Sequence, residues 1–164
     1  MPIIKIDELP LVKGADGIGY PPPFDQNCDL FESADIGSKA GLTQFGVGIE
    51  KLLPGGMSSQ RHWHEHEDEF LYLLSGELVL VENDGEHIVT EGTAIGWKAG
   101  DSNAHHLINK TSEPAFFLII GTRAKRDVCH YPDIDLLYTR DDGDSKYTRK
   151  DGSPIDSTST EETK

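Results

Sequence analysis

Five of the seven histidines stand in two clusters: His62, His64 and His66, then His105 and His106. On a strand, side chains alternate between faces, so His62 and His64 project the same way while Arg61 and Trp63 project the other. Their imidazoles can then converge on one point. Glu67, Asp68 and Glu69 follow closely and can add a carboxylate. The second cluster lies two hairpins further along, a separation that an antiparallel barrel closes in space. Three imidazoles with one carboxylate form a borderline donor set that suits Zn, Mn, Fe, Ni or Co rather than Ca or Mg alone. Such a set leaves coordination positions open for a substrate. An isolated His-x-His on a strand is ordinarily solvated or hydrogen-bonded, so the residues around it carry the argument.

Those residues have regular spacing. Gly56, five residues, His62-Trp63-His64, four residues, Glu69, six residues and Gly76 match the first motif of the cupin superfamily, G-x5-H-x-H-x3–4-E-x6-G, at every fixed position. Gly56 is expected to permit the turn into the histidine strand, and Gly76 the tight turn after the next one. Gly92, five residues, Lys98-Ala99-Gly100, four residues, His105, three residues and Asn109 resemble the second cupin motif. Lys98 replaces the usual proline there, and two extra residues precede the histidine. The gap to Asn109 selects His105, which leaves the adjacent His106 facing away. The resemblance covers roughly residues 42–122. It implies a jelly-roll β-barrel, usually a homodimer, with one divalent transition metal (Zn, Mn, Fe or Ni) held by His62, His64, Glu69 and His105. The segments Gly41–Gly46, Arg61–Phe70, His105–Asn109 and Tyr131–Asp135 look like a group of small bacterial single-domain cupins, some of them labelled sugar-phosphate isomerase-like.

The elements that must position these groups read as strands. Phe70–Leu74 ends at the turn pair Ser75-Gly76. Glu77–Glu82 and Glu86–Thr90 flank Asn83-Asp84-Gly85, a strong hairpin signal. Thr93–Lys98, His105–Asn109 and Ala115–Gly121 complete the set, with short strands expected near Ile3–Ile6 and Thr43–Leu53. The expected fold is all-β: a cupin jelly-roll barrel over residues 42–122, an extended N-terminal arm over 1–41, and a C-terminal extension over 123–164. The arm carries Gly14, Gly17, Gly19 and the stiff run Pro21-Pro22-Pro23. The extension has little apolar content after about 138 and is expected to be partly mobile there, or ordered only against a partner chain.

Strand parity makes predictions about the pocket. Ser58 and Gln60 share the inward face of His62 and His64. Leu71 and Leu73 share the face of Glu69, while Phe70, Tyr72 and Leu74 form an outward apolar stripe. A second copy or the N-terminal arm would cover that stripe. Trp97 reads as a buried structural residue, Lys98 as a rim lysine, and Asn109 as a turn or strand-end residue. His87 reads as surface. Glu67 and Asp68 read as solvated acids, or as groups that orient a ligand histidine. Arg123, Lys125 and Arg126 form the one dense basic cluster, which either takes a phosphate or pairs with surface acids.

Composition excludes other classes of function. The 164 residues hold 15 Lys+Arg against 29 Asp+Glu, a formal charge of −14. Nucleic acid and anionic membrane surfaces are therefore not expected as partners. No helix-turn-helix segment is read in it, so a direct transcription factor is not expected, while a partner-mediated regulator stays open. No apolar run is long enough to span a bilayer, and the N-terminal Met-Pro-Ile-Ile-Lys-Ile-Asp lacks the core of a signal peptide. Cys28 and Cys129 are too few for a disulfide framework and read as thiols of a cytoplasmic protein. The expected function is a metal-dependent enzyme on a small polar metabolite, isomerase- or epimerase-like toward a sugar or sugar phosphate. The alternatives are an Fe(II)-dependent dioxygenase-type cupin and a ligand-sensing cupin without turnover. The catalytic base is not identified by the sequence.

Overall fold

Residues 3–13, 19–25, 28 and 30–155 are described by the computed structural model. Gly14, Gly17 and the chain end beyond 155 lie outside them. In chain order the strands are β1 (Val12–Lys13), β2 (Phe31–Asp35), β3 (Phe45–Leu52), β4 (Trp63–His64), β5 (Glu69–Ser75), β6 (Glu77–Glu82), β7 (Gly85–Thr90), β8 (Ala94–Trp97), β9 (His106–Ile108), β10 (Ala115–Thr122), β11 (Arg126–Tyr131), β12 (Leu136–Asp141) and β13 (Asp144–Thr148). A single helical turn, Ile36–Lys39, links β2 to β3. One sheet runs β1-β2-β3-β10-β5-β8, a second runs β13-β12-β11-β4, and a third runs β7-β6-β9. The fold is all-β and jelly-roll in type, with sheets that do not close into a continuous barrel.

Alternation along the strands produces the core. On β5, Leu71 and Leu73 are buried, whereas Phe70 and Tyr72 are 41% and 39% exposed. Leu71 and Leu73 meet Phe117 and Leu52 of the large sheet, and Leu78, Leu80, Val89 and Leu107 from the small sheet close over them. The outward stripe is only partly covered. Arm residues Ile4, Ile6, Leu9 and Leu11 share a cavity with Ile49 and Phe116 on the outer face of β3 and β10. They leave Phe70 and Tyr72 exposed.

Three expectations need correction. Ile3–Ile6 is not a strand; a 3-10 turn spans Ile6–Glu8 instead. The barrel is wider than residues 42–122, because Phe31–Asp35 pairs with β3. The C-terminal extension is ordered in strands past 138, as far as Thr148, without a partner chain. β12 pairs with β11 and β13 pairs with β12 over full hairpin registers. Their polar composition misleads because these strands carry one apolar face only. Tyr138 and Tyr147 pack with Tyr131, Cys129 and Leu136 in a second core cluster, while Asp141, Asp144 and Lys146 are exposed.

Two motif glycines serve different physical ends. Gly76 has φ of +89°, and a Cβ there would lie 2.9 Å from Ala115. Gly56 has no such backbone; instead a Cβ would lie 2.6 Å from the carbonyl oxygen of Leu30, so the arm approaches too closely for any side chain. Gly76→Ala therefore combines a left-handed backbone with overlap at Ala115. It is expected to lower stability by about 1–3 kcal/mol, read as a shifted midpoint in denaturant unfolding.

Candidate metal centre

Two backbone registers assemble the site. His62 and His105 form an isolated antiparallel bridge: His62 N–H donates to His105 O at 3.1 Å, and His105 N–H donates to His62 O at 2.9 Å. Two residues on, β4 pairs with β11 and sets Cys129 opposite His64. His62 and His64 lie on one face, with ring centroids 5.0 Å apart. Glu69 opens β5 in the facing sheet, in register with Trp97 of β8 and Gly121 of β10.

The four side chains selected at the sequence level come together. One oxygen of Glu69 lies 2.9 Å from His105 Nε2 and 3.8 Å from both His62 Nε2 and His64 Nε2. The opposite ring nitrogens are all engaged. His62 Nδ1–H donates to Gln60 O at 2.8 Å, with Ser59 Oγ 3.2 Å away. His64 Nδ1–H donates to Asp127 Oδ2 at 2.5 Å. His105 Nδ1–H donates to Asn103 O at 3.3 Å. With each Nδ1 engaged, the three imidazoles turn their Nε2 atoms toward the same carboxylate. His105 is further fixed by face-to-face stacking on Trp97, with centroids 3.7 Å apart and planes inclined by 8°. Trp97 in turn donates from Nε1 to Glu82 at 2.7 Å.

The site is largely buried, and its titration reflects this. Burial pushes the Glu69 carboxyl up, but the hydrogen bond with His105 and the neighbouring imidazoles of His62 and His64 outweigh it and hold it at about 2. Burial depresses His62 to about 4. Burial also disfavours charge on His64, yet the hydrogen bond to Asp127 prevails, with help from Cys129, and raises it to about 11. Asp127 is held below the usual carboxylate range: burial opposes ionisation, and His64 more than compensates.

Several other residues are settled by geometry. His106 turns its Nδ1 to the Ser59 carbonyl at 3.0 Å and does not meet Glu69. His66 lies outside the donor groups, and its backbone N–H donates to Asp127. His87 is on the surface, paired with Asp84. Asn109 is fully buried; its Nδ2 donates to the carbonyls of Leu52 and Glu113, and its Oδ1 accepts from Thr111. Ser58 lines the cavity as expected, but Gln60 does not; its amide donates to Phe24 O at 2.8 Å. Glu67 is not a solvated acid. It is part-buried, pairs with Arg140 and accepts from Ala124 N. Arg123, Lys125 and Arg126 pair with Asp35, Asp142 and Asp141 respectively. Neither cysteine is in a disulfide.

The centre opens into a cavity of about 280 Å³. Several of its walls were not identified from the sequence. Glu50 projects inward from β3, and Tyr20, Tyr131 and Tyr147 approach from the arm and the C-terminal sheet. The Tyr131 ring lies 5.9 Å from His62. Burial, and then the charge of Glu69, push the Glu50 carboxyl up to about 8. Asp127, which anchors His64, was also missed. Its signal was the alternation of Asp127, Cys129 and Tyr131, three buried residues on one face of β11.

Residues 48–121 match the model of the family described as Cupin domain. A crystal structure from Silicibacter pomeroyi DSS-3, described as a sugar phosphate isomerase of the cupin superfamily, is 38% identical. It superposes with a TM-score of 0.88 over 94% of this chain and 97% of that one. A protein of Acidithiobacillus ferrooxidans that bears a provisional sugar phosphate isomerase name is 26% identical, with a TM-score of 0.71 over 76% of this chain and 80% of that one. The polyketide cyclase RemF of Streptomyces resistomycificus, at 20% identity and a TM-score of 0.61, covers 76% of this chain and 80% of its own and shares the fold. No curated protein matches. This chain belongs to the cupin superfamily. No helix among the described residues is long and apolar enough to cross a membrane.

The Asp127–His64 pair makes a pH prediction for chelator-treated protein. His64, raised above its unfolded value, contributes stability that is fully present below about pH 6.5. That contribution is lost as pH rises through about 11. In histidine ring NMR titrations, His64 is expected to stay charged through neutral pH while His62 stays neutral down to about pH 4. Asp127→Asn is expected to bring the His64 titration down to or below neutrality. An unchanged His64 titration in that variant would rule out the carboxylate as the cause.

Proposed function

We propose that His62, His64, Glu69 and His105 hold one divalent transition ion, and that the cavity around it converts a small polar metabolite by sugar phosphate isomerase-like proton transfer. The observation that carries the first part is the convergence of three Nε2 atoms on one carboxylate oxygen, with every Nδ1 occupied by an acceptor. Imidazole nitrogen and carboxylate oxygen both bind metal in their deprotonated forms, so an entering cation would take the place of the protons that otherwise join these groups. The donor set, imidazole and carboxylate, suits Zn, Mn, Fe or Ni. The second part is supported by the 38% identical neighbour, whose likeness runs across nearly the whole of both chains.

When bound, such an ion supplies a Lewis acid that polarises a carbonyl or hydroxyl oxygen of the substrate. The chain's own residues supply the rest. Asp127 and the Gln60 and Asn103 carbonyls orient the imidazoles. Trp97 and Leu71 form an apolar wall, and Tyr20, Tyr131 and Tyr147 narrow access for water. Moving a proton between adjacent carbons needs a group whose protonated and ionised forms are both accessible near neutrality. Glu50, raised to about 8, meets that need and faces the same cavity. We assign it the proton-carrying role.

Untagged protein analysed for metals is expected to carry a stoichiometric transition ion. His62→Ala and Glu69→Gln are expected to lose metal affinity on the order of 10-fold or more. Equal metal content in all three would overturn the ligand assignment. For the reaction, a panel of aldose and ketose phosphates in deuterated water is followed by NMR. Deuterium should enter at the carbon next to the carbonyl, and Glu50→Gln should slow this roughly 100-fold while metal content stays unchanged. Metal-replete enzyme that exchanges no substrate of this class would overturn the isomerase reading.

A further inference from the structure

Cys129 is a metal-ligating side chain that the four-residue centre leaves unused. The register of β4 and β11 sets it directly opposite His64. It is 2% exposed and lines the same cavity as Glu69. One donor atom from each of His62, His64 and Cys129 lies within 4.8 Å of the other two. A second group with the same closeness comprises His62, Glu69 and His105. Donor atoms bound tetrahedrally to one zinc ion lie roughly 3.5 Å apart, given bonds of about 2.0–2.3 Å. Both groups therefore come within a small side-chain adjustment of closing on an ion, and His62 belongs to both. His64 stands between them, 3.8 Å from Glu69 and within the sulfur group.

The two groups differ in chemistry. One offers two nitrogens and a sulfur; the other offers two nitrogens and a carboxylate oxygen. Thiolate selects soft and borderline ions such as Cu(I) and Zn, whereas carboxylate suits Mn and the harder ions. We propose that Cys129 is a fifth ligand position of this centre, recruited with His62 and His64 by thiophilic ions and left unligated by oxygen-preferring ones. The proposal rests on the metal-centre reading above and deepens it. It makes the identity of the ion change the donor set, so that zinc or cadmium draws away from Glu69 while manganese stays beside it.

The test uses full-length protein stripped by chelator and reloaded with a single ion. With Co(II), wild type and Cys28→Ser should both show a sulfur-to-cobalt charge-transfer band in the near ultraviolet. Cys129→Ser should bind Co(II) and lack the band. In chelator competition, Cys129→Ser should weaken Zn(II) and Cd(II) on the order of 10-fold and leave Mn(II) unchanged. Circular dichroism checks that each variant folds. X-ray absorption on wild type requires no variant: the zinc-loaded form should show a sulfur scatterer at about 2.3 Å, and the manganese-loaded form only nitrogen and oxygen. Co(II) bound without the band, or zinc bound without sulfur, overturns the role of Cys129 and leaves the four-residue centre standing. Folded wild type that retains none of these ions overturns both.

Discussion

Three imidazole nitrogens face a single carboxylate oxygen. In an interior of low effective dielectric, that carboxylate needs positive charge beside it, which a protonated His64 supplies and a bound ion would supply in its place. The rings do not turn away from the carboxylate, because each ring is held at its far nitrogen. Gln60 and Asn103 hold two of them through backbone carbonyls, and Asp127 holds the third through a carboxylate. Much of the local structure can be read as the support for this constraint. Trp97 clamps the face of His105, and Glu82 fixes Trp97 by its indole N–H.

The support comes from all three sheets. β5 of the large sheet brings Glu69, the His62–His105 bridge brings two imidazoles together beside the end of β9, and the β4–β11 pairing brings His64 against Asp127 and Cys129. The C-terminal strands thus line the candidate site. Without β11, His64 would have no anchor at Nδ1 and the cavity would lose Tyr131. This is why a polar segment is worth folding: its inward residues Asp127, Cys129, Tyr131 and Leu136 are buried, while its outward residues pair as surface ions that contribute little individually.

The acidity of the chain finds a partial explanation here. The basic residues after β10 are matched one by one with acids and leave no open cationic patch on that face. Attraction of an anionic substrate would fall to the bound ion itself. The interior acids are treated differently from one another. Glu69 stays ionised because imidazoles surround it, and Glu50 is driven toward its protonated form because burial acts on it with no cation adjacent and the charge of Glu69 nearby. Two carboxyls in one cavity are thereby set up for different tasks.

Much of this was legible in the residues alone. The spacing from Gly56 to Gly76 carried the histidines, Glu69 and the all-β fold, because alternation on strands and turn geometry are local rules with short periods. The choice of His105 over His106 rested on the three-residue gap from His105 to Asn109 in the second motif. What the sequence could not place were Asp127, Cys129, Glu50 and the tyrosines, none of which lies in a motif with the histidines. Their roles arise from inter-strand registers between segments about 60 residues apart, as Cys129 beside His64 shows. A register of that kind is decided by which faces bury and which hydrogen bonds close across the whole sheet. For that reason the local pattern named the three histidines and Glu69, and only the folded chain could decide what holds them and what else stands within reach.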